Sequence, residues 1–330
     1  MKEFLKPYRK WIVTLLFPYL YLMFFLVVPT DFSVHAPGGI NEVGPIVAIE
    51  DHEMSDAFYT IFIYHWTPLT AFQRMVLTVD RTMTVYPRTL REKDTSYRDD
   101  FLAGQLAKQV SLMTSVILAY ELASEKDQTV RIDYQLEGVY VYQRPRRLQE
   151  LKIGDRVVEA NGVSYQDDLD AFYQALGNDA MNLTIIRETD GIETTHELMI
   201  QLEPGDLSIR YLPSYRIKHA VPKVDLPASD YKSGGPSGGL IQTLSIYASL
   251  LKINIDQHRI AGTGSVSMDG NVGRIGAVRQ KIYTGIDQKI DVFFIPESHY
   301  NEVKDIRIPY QLIRVKTVRE AVEWLYETYR

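Results

Sequence analysis

The chain has 330 residues, 45% of them hydrophobic and 24% charged, with a formal net charge of −6. That length accommodates about two or three domains, and an acidic balance of this kind excludes a broad basic surface for nucleic acid. Cysteine is absent, which excludes disulfides, thiolate metal sites and a cysteine nucleophile.

From Trp11 to Val28 the sequence carries no charge, and this run approaches the ~20 residues that cross a bilayer. Lys2, Lys6, Arg9 and Lys10 precede it, with Glu3 the only acid there. The positive-inside rule then puts the first residue in the cytoplasm and the chain beyond about residue 30 outside. The expectation is a single-pass anchor through residues 11–28, with the rest of the chain extracellular. Pro18 kinks such a span without forbidding it. A cleaved signal peptide is the competing reading, with Val34 and Ala36 before the cut and Pro37 unfavourable after it.

Residues 31–60 read as extended. Val34-His-Ala-Pro-Gly-Gly39 is turn-rich, whereas Pro45 to Ile49 and Phe58 to Tyr64 are strand candidates. Thr67 to Val79 reads as a helix with Thr67 as its N-cap and Pro68 in first position, ended at Val85-Tyr-Pro-Arg88. A long helical pattern follows from Ser96 to Leu122. Its stripe of Phe101, Leu102, Leu106, Val110, Met113 and Ile117 suits a helix packed on its own domain. Asp99, Asp100, Lys108 and Glu121 argue against a second span.

Between about 125 and 205 the pattern changes to short strands. Gly138-Val-Tyr-Val-Tyr142 alternates, and Leu151-Lys-Ile-Gly-Asp-Arg-Val-Val-Glu-Ala-Asn-Gly162 is a turn, a strand and an Asn-Gly turn. Asp168 to Leu176 is a short amphipathic helix, and Asp190-Gly191 is a hairpin turn between Leu183–Arg187 and His196–Ile200. This region resembles PDZ domains in their permuted bacterial order. The resemblance implies that an extended peptide adds to a sheet edge, with Gly138, Val139, Tyr140 and Val141 on the carboxylate-binding loop and its strand. Arg144-Pro-Arg-Arg-Leu148 replaces the small Gly-Ser-Pro-Ala-like turn of such domains. The Arg144, Arg146 and Arg147 cluster reads either as a solvated loop or as a holder of acidic peptide or lipid headgroups.

The remaining residues, 206–330, read as α/β, with strands at Ile260–Val266 and Val292–Ile295 and a last helix from Val318 to Tyr329. Two segments here carry chemistry. Ser237 lies in Ser233-Gly-Gly-Pro-Ser-Gly-Gly239, ahead of an apolar helical run. Glycines let the backbone turn sharply and let a carbonyl approach, and a following helix offers unpaired N–H groups. Lys281 falls on a short helix whose face of Val278, Lys281, Ile282 and Gly285 is otherwise apolar. A lysine kept from water becomes a base near neutral pH, so the pair reads as nucleophile and base of a Ser-Lys hydrolase. Gly235-Pro-Ser-Gly-Gly239 also fits the nucleophile elbow of α/β-hydrolases, with His258 or His299 as base.

The two segments together, with Thr263-Gly-Ser-Val-Ser-Met-Asp-Gly-Asn-Val-Gly-Arg-Ile-Gly-Ala-Val-Arg-Gln-Lys281, Asp291-Val-Phe-Phe-Ile-Pro296 and Thr317-Val-Arg-Glu-Ala-Val-Glu-Trp-Leu325, resemble the proteolytic domain of Lon proteases over about 206–330. The resemblance implies a serine peptidase with Ser237 as nucleophile and Lys281 as base. Gly235, Pro236 and Gly238 shape the turn, and Thr263 supports the lysine by hydrogen bonding or by packing. Gly238 stands where the family usually has alanine, a change expected to loosen the helix start. No Gly-x-x-x-x-Gly-Lys-[Ser/Thr] occurs in the 330 residues.

The full order of anchor (1–30), mixed α/β region (31–124), PDZ-like unit (125–205) and Lon-type domain (206–330) resembles the membrane-tethered Lon-like peptidases of Gram-positive bacteria. It implies peptide or unfolded-protein substrates, with a secreted pheromone one candidate, no cofactor, and a homo-oligomer as a further option. A silent peptide-binding adaptor is the alternative from another class. The histidines show no metal-ligand spacing.

Overall fold

A computed structural model describes residues 7–227, 234–255 and 258–330; Lys2, Glu3, Lys6 and Ser233 lie outside them. The apolar N-terminal run forms helix α1 (Arg9–Val27), with Pro18 inside it. Most of its described side chains face outward, Trp11 being 69% and Phe17 79% exposed. At its end Phe25 meets Phe72 edge-on, with ring centroids 6.2 Å apart.

Strands β1 (Phe32–Glu42) and β2 (Phe58–Trp66) are antiparallel. The stretch expected to turn at residues 34–39 lies inside β1. Its irregularity is absorbed as a shift of register between Pro37 and Gly39, which lets the strand continue past its proline. Helix α2 (Ala71–Leu77) is capped by Thr70, not Thr67. Thr70 accepts from the Gln73 N–H while Gln73 accepts from the Thr70 N–H, a reciprocal pair that Thr67 has no partner to form. Strand β3 (Thr84–Pro87) occupies the stretch read as a break. Ser96 caps the long helix α3 (Tyr97–Ser124). Among the described residues, α3 is the helix long and apolar enough to cross a membrane, but 50% of its most apolar stretch is buried within the protein.

An antiparallel β-rich unit follows, built from β4 (Arg131–Gln143), β5 (Arg156–Ala160), β6 (Ala180–Thr189), β7 (Ile192–Gln201) and β8 (Arg210–Val221), with helix α4 (Leu169–Ala175) against it. Its strand order is β8-β4-β5-β6-β7. The expected hairpin turn has Asp190 and Gly191 at φ 53° and 79°, the left-handed pair that tight hairpins require. Phe172 and Leu151 are fully buried in its separate core. The edge expected to take a peptide is filled. Val139 and Tyr140 pair with Pro213 and Leu212 on one side and with Val157 and Arg156 on the other. Strand addition along Gly138–Val141 therefore has no open side at Val139 and Tyr140.

The C-terminal part supplies α5 (Gly239–Leu250), β9 (Ile260–Gly262), α6 (Val278–Asp287), β10 (Val292–Pro296), β11 (Gln311–Val315) and α7 (Val318–Tyr329). Its strands join those of the N-terminal region in one sheet, in the order β11-β10-β9-β2-β1-β3. The four from β11 to β2 are parallel. Segment 31–124 and the chain from 239 onward therefore share a sheet and a core, in which α5 is buried along its whole length, whereas β8, expected in the 206–330 unit, belongs to the sheet of the β-rich unit.

Two arginines of the cluster, Arg144 and Arg147, are engaged within the protein, whereas Arg146 is exposed. Arg144 is 8% exposed. Its guanidinium donates to Asp99 of α3 at 2.9 Å and to the carbonyls of Pro145 and Leu148, and Arg147 pairs with Asp206. Removing one partner of a buried pair strands the other. Arg144→Leu is therefore expected to lower the unfolding free energy by about 3 kcal/mol in urea denaturation; a change under ~0.5 kcal/mol would deny Arg144 this role.

Candidate active site

Gly235 has φ +98°, a conformation that favours glycine, and it turns the chain into a single 3-10 turn, Pro236–Gly238. Ser237 sits on that turn immediately before α5. Its carbonyl accepts from the Gly264 N–H at 2.8 Å and from the Thr263 hydroxyl at 3.2 Å. Thr263 is itself fixed by donating its N–H to Phe294 of β10 at 2.9 Å. The end of β9 therefore sets the height at which the serine stands.

Lys281 projects from α6 on the face it shares with Val278, Ile282 and Gly285, all buried. Its Nζ lies 2.6 Å from Ser237 Oγ and 2.9 Å from Thr263 Oγ1. The side chain is 4% exposed, and burial pushes its pKa down to about 7. At that value a large fraction is neutral amine near physiological pH. Donation of one N–H to Thr263 leaves the nitrogen lone pair for the serine proton, and Thr263 donates its own O–H to the Ser237 carbonyl. The three expected residues, Ser237, Lys281 and Thr263, are thus brought together.

The histidines are not. His299 is buried, with Nε2 accepting from the Ile275 N–H at 2.8 Å and Nδ1 2.9 Å from Glu302, so both ring nitrogens are engaged away from Ser237. His258 rests edge-on against Tyr329, with centroids 5.3 Å apart. His35 and His65 meet at the Tyr86 hydroxyl, at 2.9 and 3.1 Å. No group of three or more metal-ligating side chains occurs among the described residues.

Gly238 directly precedes α5, which begins at Gly239 in buried surroundings. A Cβ at Gly238 would meet Thr60 Cγ2 at 3.0 Å and Gln242 Nε2 at 3.3 Å, so these two neighbours make the usual alanine a tight fit. Gln242 is buried, and its Oε1 has no hydrogen-bond partner among the described residues.

Sequence reasoning missed the contribution of α3. The Gly104 carbonyl accepts from the Gly235 N–H at 2.7 Å, Ser111 Oγ donates to the Pro236 carbonyl at 3.0 Å, and Ser115 Oγ donates to the Gly239 carbonyl at 2.9 Å. Gly104, Ser111 and Ser115 fall on one helix face, and they clamp the serine turn from behind. The signal was present as small residues recurring on the face of a long helix, but nothing local tells a helix what it packs against. The serine opens onto a cleft of about 520 Å³ lined by Asn41, Thr60 to Tyr64, Lys108, Gly234, Gly235, Ser237, Gly238, Gln242 and Lys281.

Comparison with known proteins agrees on the C-terminal part. Residues 213–327 match the Lon protease (S16) C-terminal proteolytic domain. The chain is similar to the Lon protease of Mycoplasmopsis agalactiae, 26% identical over 145 residues that cover 41% of this chain and 14% of the relative. It is also similar to that of Frankia alni, 28% identical over 137 residues, 40% of this chain and 14% of the relative. With the Lon protease of Rickettsia prowazekii the identity is 32% over 84 residues, 25% of this chain and 10% of the relative. The matched region is thus a small fraction of each relative's length.

The clamp makes a testable demand. A Cβ at Gly234 would lie 2.8 Å from the Gly104 backbone, so Gly234→Ala must push the turn off α3. Displacement of a reacting group by about an ångström costs ~100-fold in rate. Gly234→Ala is expected to cut labelling of Ser237 by a fluorophosphonate probe at least tenfold while the melting temperature stays within about 3 °C. Unchanged labelling would remove α3 as the support of the turn.

Proposed function

We propose that the chain is an ATP-independent serine endopeptidase, with Ser237 and Lys281 as its catalytic dyad, tethered at the outer face of a membrane and acting on peptides or unfolded segments. The observation that carries the reading is the 2.6 Å contact between Lys281 Nζ and Ser237 Oγ in a site that keeps the ammonium from water. Neutral Lys281 takes the Ser237 proton as Oγ attacks the scissile carbonyl. Backbone N–H groups at the serine turn receive the developing oxyanion. The lysine then returns its proton to the leaving amine, and water, deprotonated by the same lysine, releases the acyl group. Thr263 orients the amine. The Lon-type domain supports peptide-bond chemistry.

Extended peptide is the substrate that the cleft favours. Strand β2 pairs with β1 along its length but with β9 only at residues 58–60. Its edge from Ile61 to Tyr64, with no other strand on it among the described residues, borders the cleft that holds Ser237. A peptide laid along that edge gains main-chain hydrogen bonds, and the unpartnered Gln242 carbonyl gains a donor. Such a site selects flexible chain over folded protein. The β-rich unit is read as PDZ-like with its edge at Val139 and Tyr140 filled from within, so that edge takes no peptide.

The tether rests on α1. Its exposed apolar side chains, with Phe72, Met75, Val76 and Val79 exposed beside its end, form a surface suited to lipid. In intact Gram-positive cells expressing the chain, the C-terminal part is expected to remain with membranes after alkaline extraction and to be digested by added protease. A chain released by alkali, or protected in unbroken cells, contradicts the tether or its orientation.

Ser237→Ala and Lys281→Met are each expected to lower kcat at least 1000-fold on any peptide the chain cleaves, and either variant retaining activity removes the dyad. The rate kcat/KM is expected to rise with pH through about 7 and then level, because the base form of Lys281 appears there. The folded pKa lies below the ordinary 10.5, so stability is lost as pH falls from that value toward the folded one. Lys281→Met is therefore expected to melt above the parent chain, by more at pH 7 than at pH 10. A melting temperature below the parent's at both pH values would show that the lysine is not held at a depressed pKa.

A further inference from the structure

We infer that Gln242 is a specificity residue of the cleft, taking an uncharged hydrogen-bonding side chain of the substrate, an amide above all, beside Ser237. The inference rests on the cleft being the peptide site and adds what that site selects. Gln242 stands about one helical turn after Gly238 and lines the cleft together with Ser237 and Lys281. It is 3% exposed, yet its Oε1 has no hydrogen-bond partner among the described residues. A buried carbonyl left in that state is costly to the fold. Ser245 Oγ on the same helix shares the condition, but Ser245 does not line the cleft.

The layering of the fold decides which part of a peptide reaches Gln242. On β2, Phe58 packs in the core that holds α5, whereas Ile61 packs with Val278 and Ile282 of α6. Alternation along the strand therefore puts Thr60 and Phe62 on the α5 side of the sheet. A peptide added at the free edge of β2 keeps its main-chain groups in the sheet and sends every second side chain toward α5. Gln242 belongs to α5, so a substrate side chain is what meets it. Gly238 leaves the room: a Cβ there would lie 3.0 Å from Thr60 Cγ2 and 3.3 Å from Gln242 Nε2. The broad last torsion of glutamine lets either atom of the amide turn to that space. A substrate amide supplies a donor for Oε1 and an acceptor for Nε2 at once. An apolar side chain of the same size fills the space and leaves the carbonyl unpaired, which is how a polar site rejects an isostere. An ammonium would have to shed its water against a neutral amide, which costs more than one hydrogen bond returns.

The test reads peptide binding in the Ser237→Ala chain by fluorescence anisotropy. The probes are fluorescein-labelled peptides of alanine and serine that carry Gln or Met, close in size, at one position at a time. At one position Gln is expected to bind at least tenfold more tightly than Met. Adding Gln242→Met is expected to bring that ratio within twofold of one. The melting temperature is expected to fall by no more than about 3 °C, because the carbonyl has no partner to lose. Ratios near one or in favour of Met at every position, no peptide bound at all, or a preference that survives Gln242→Met would overturn the inference. A larger fall in melting temperature would overturn it too, since the amide would then serve the fold. Cleavage is scored separately on the chain with Ser237 intact. Failure to cleave would sink the peptidase reading while leaving the binding ratios to decide on Gln242.

Discussion

An amine held out of water against a serine hydroxyl is the constraint around which the C-terminal half is arranged. A lysine at ordinary pKa is an acid at neutral pH and useless as a base. Burial on the apolar face of α6 removes that obstacle, and it does so without a neighbouring cation, since desolvation is the cause of the depressed pKa. The same burial makes the site costly to the fold. It is tolerated because the nitrogen has two oxygen partners, Ser237 Oγ and Thr263 Oγ1.

The parts that meet at Lys281 come from remote stretches of chain. The serine turn belongs to the approach to α5, the threonine to the end of β9, the lysine to α6 and the clamp to α3. Between α3 and the serine turn lies the entire β-rich unit. That insertion is accommodated because β8 pairs along β4 within the unit, and because Arg144 ties it back to Asp99. The close contact of α3 with the turn depends on small residues. A Cβ at Gly239 would lie 2.7 Å from Ser111 Oγ, so glycine there is a packing requirement of the two helices and of the position of Ser237 at once.

What could be read from sequence was local chemistry. The glycine-rich turn, the apolar face carrying one lysine and the Asp190-Gly191 hairpin each declare themselves within a few residues. The last helix did so too, with Thr317 as its cap. The strand β8 did not, because Pro213 interrupts it and its burial does not alternate; its pairing with β4 is fixed by partners 67 to 90 positions away. Thr67 was taken for a cap since Pro68 follows it, whereas the actual cap depended on which threonine had Gln three residues on. Filling of the strand edge at Val139 and Tyr140, and the support given by α3, are products of tertiary pairing and carry no local mark.

The most direct measurement is the protonation of Lys281 itself. NMR of the chain with 13C-labelled lysine side chains, with the Lys281 resonance identified by its loss in Lys281→Met, follows that amine alone as pH changes. The account requires its titration midpoint near 7. A midpoint within about one unit of the 10.4 of an exposed lysine would contradict it, because the nitrogen beside Ser237 would then hold its proton under the conditions in which it must accept one.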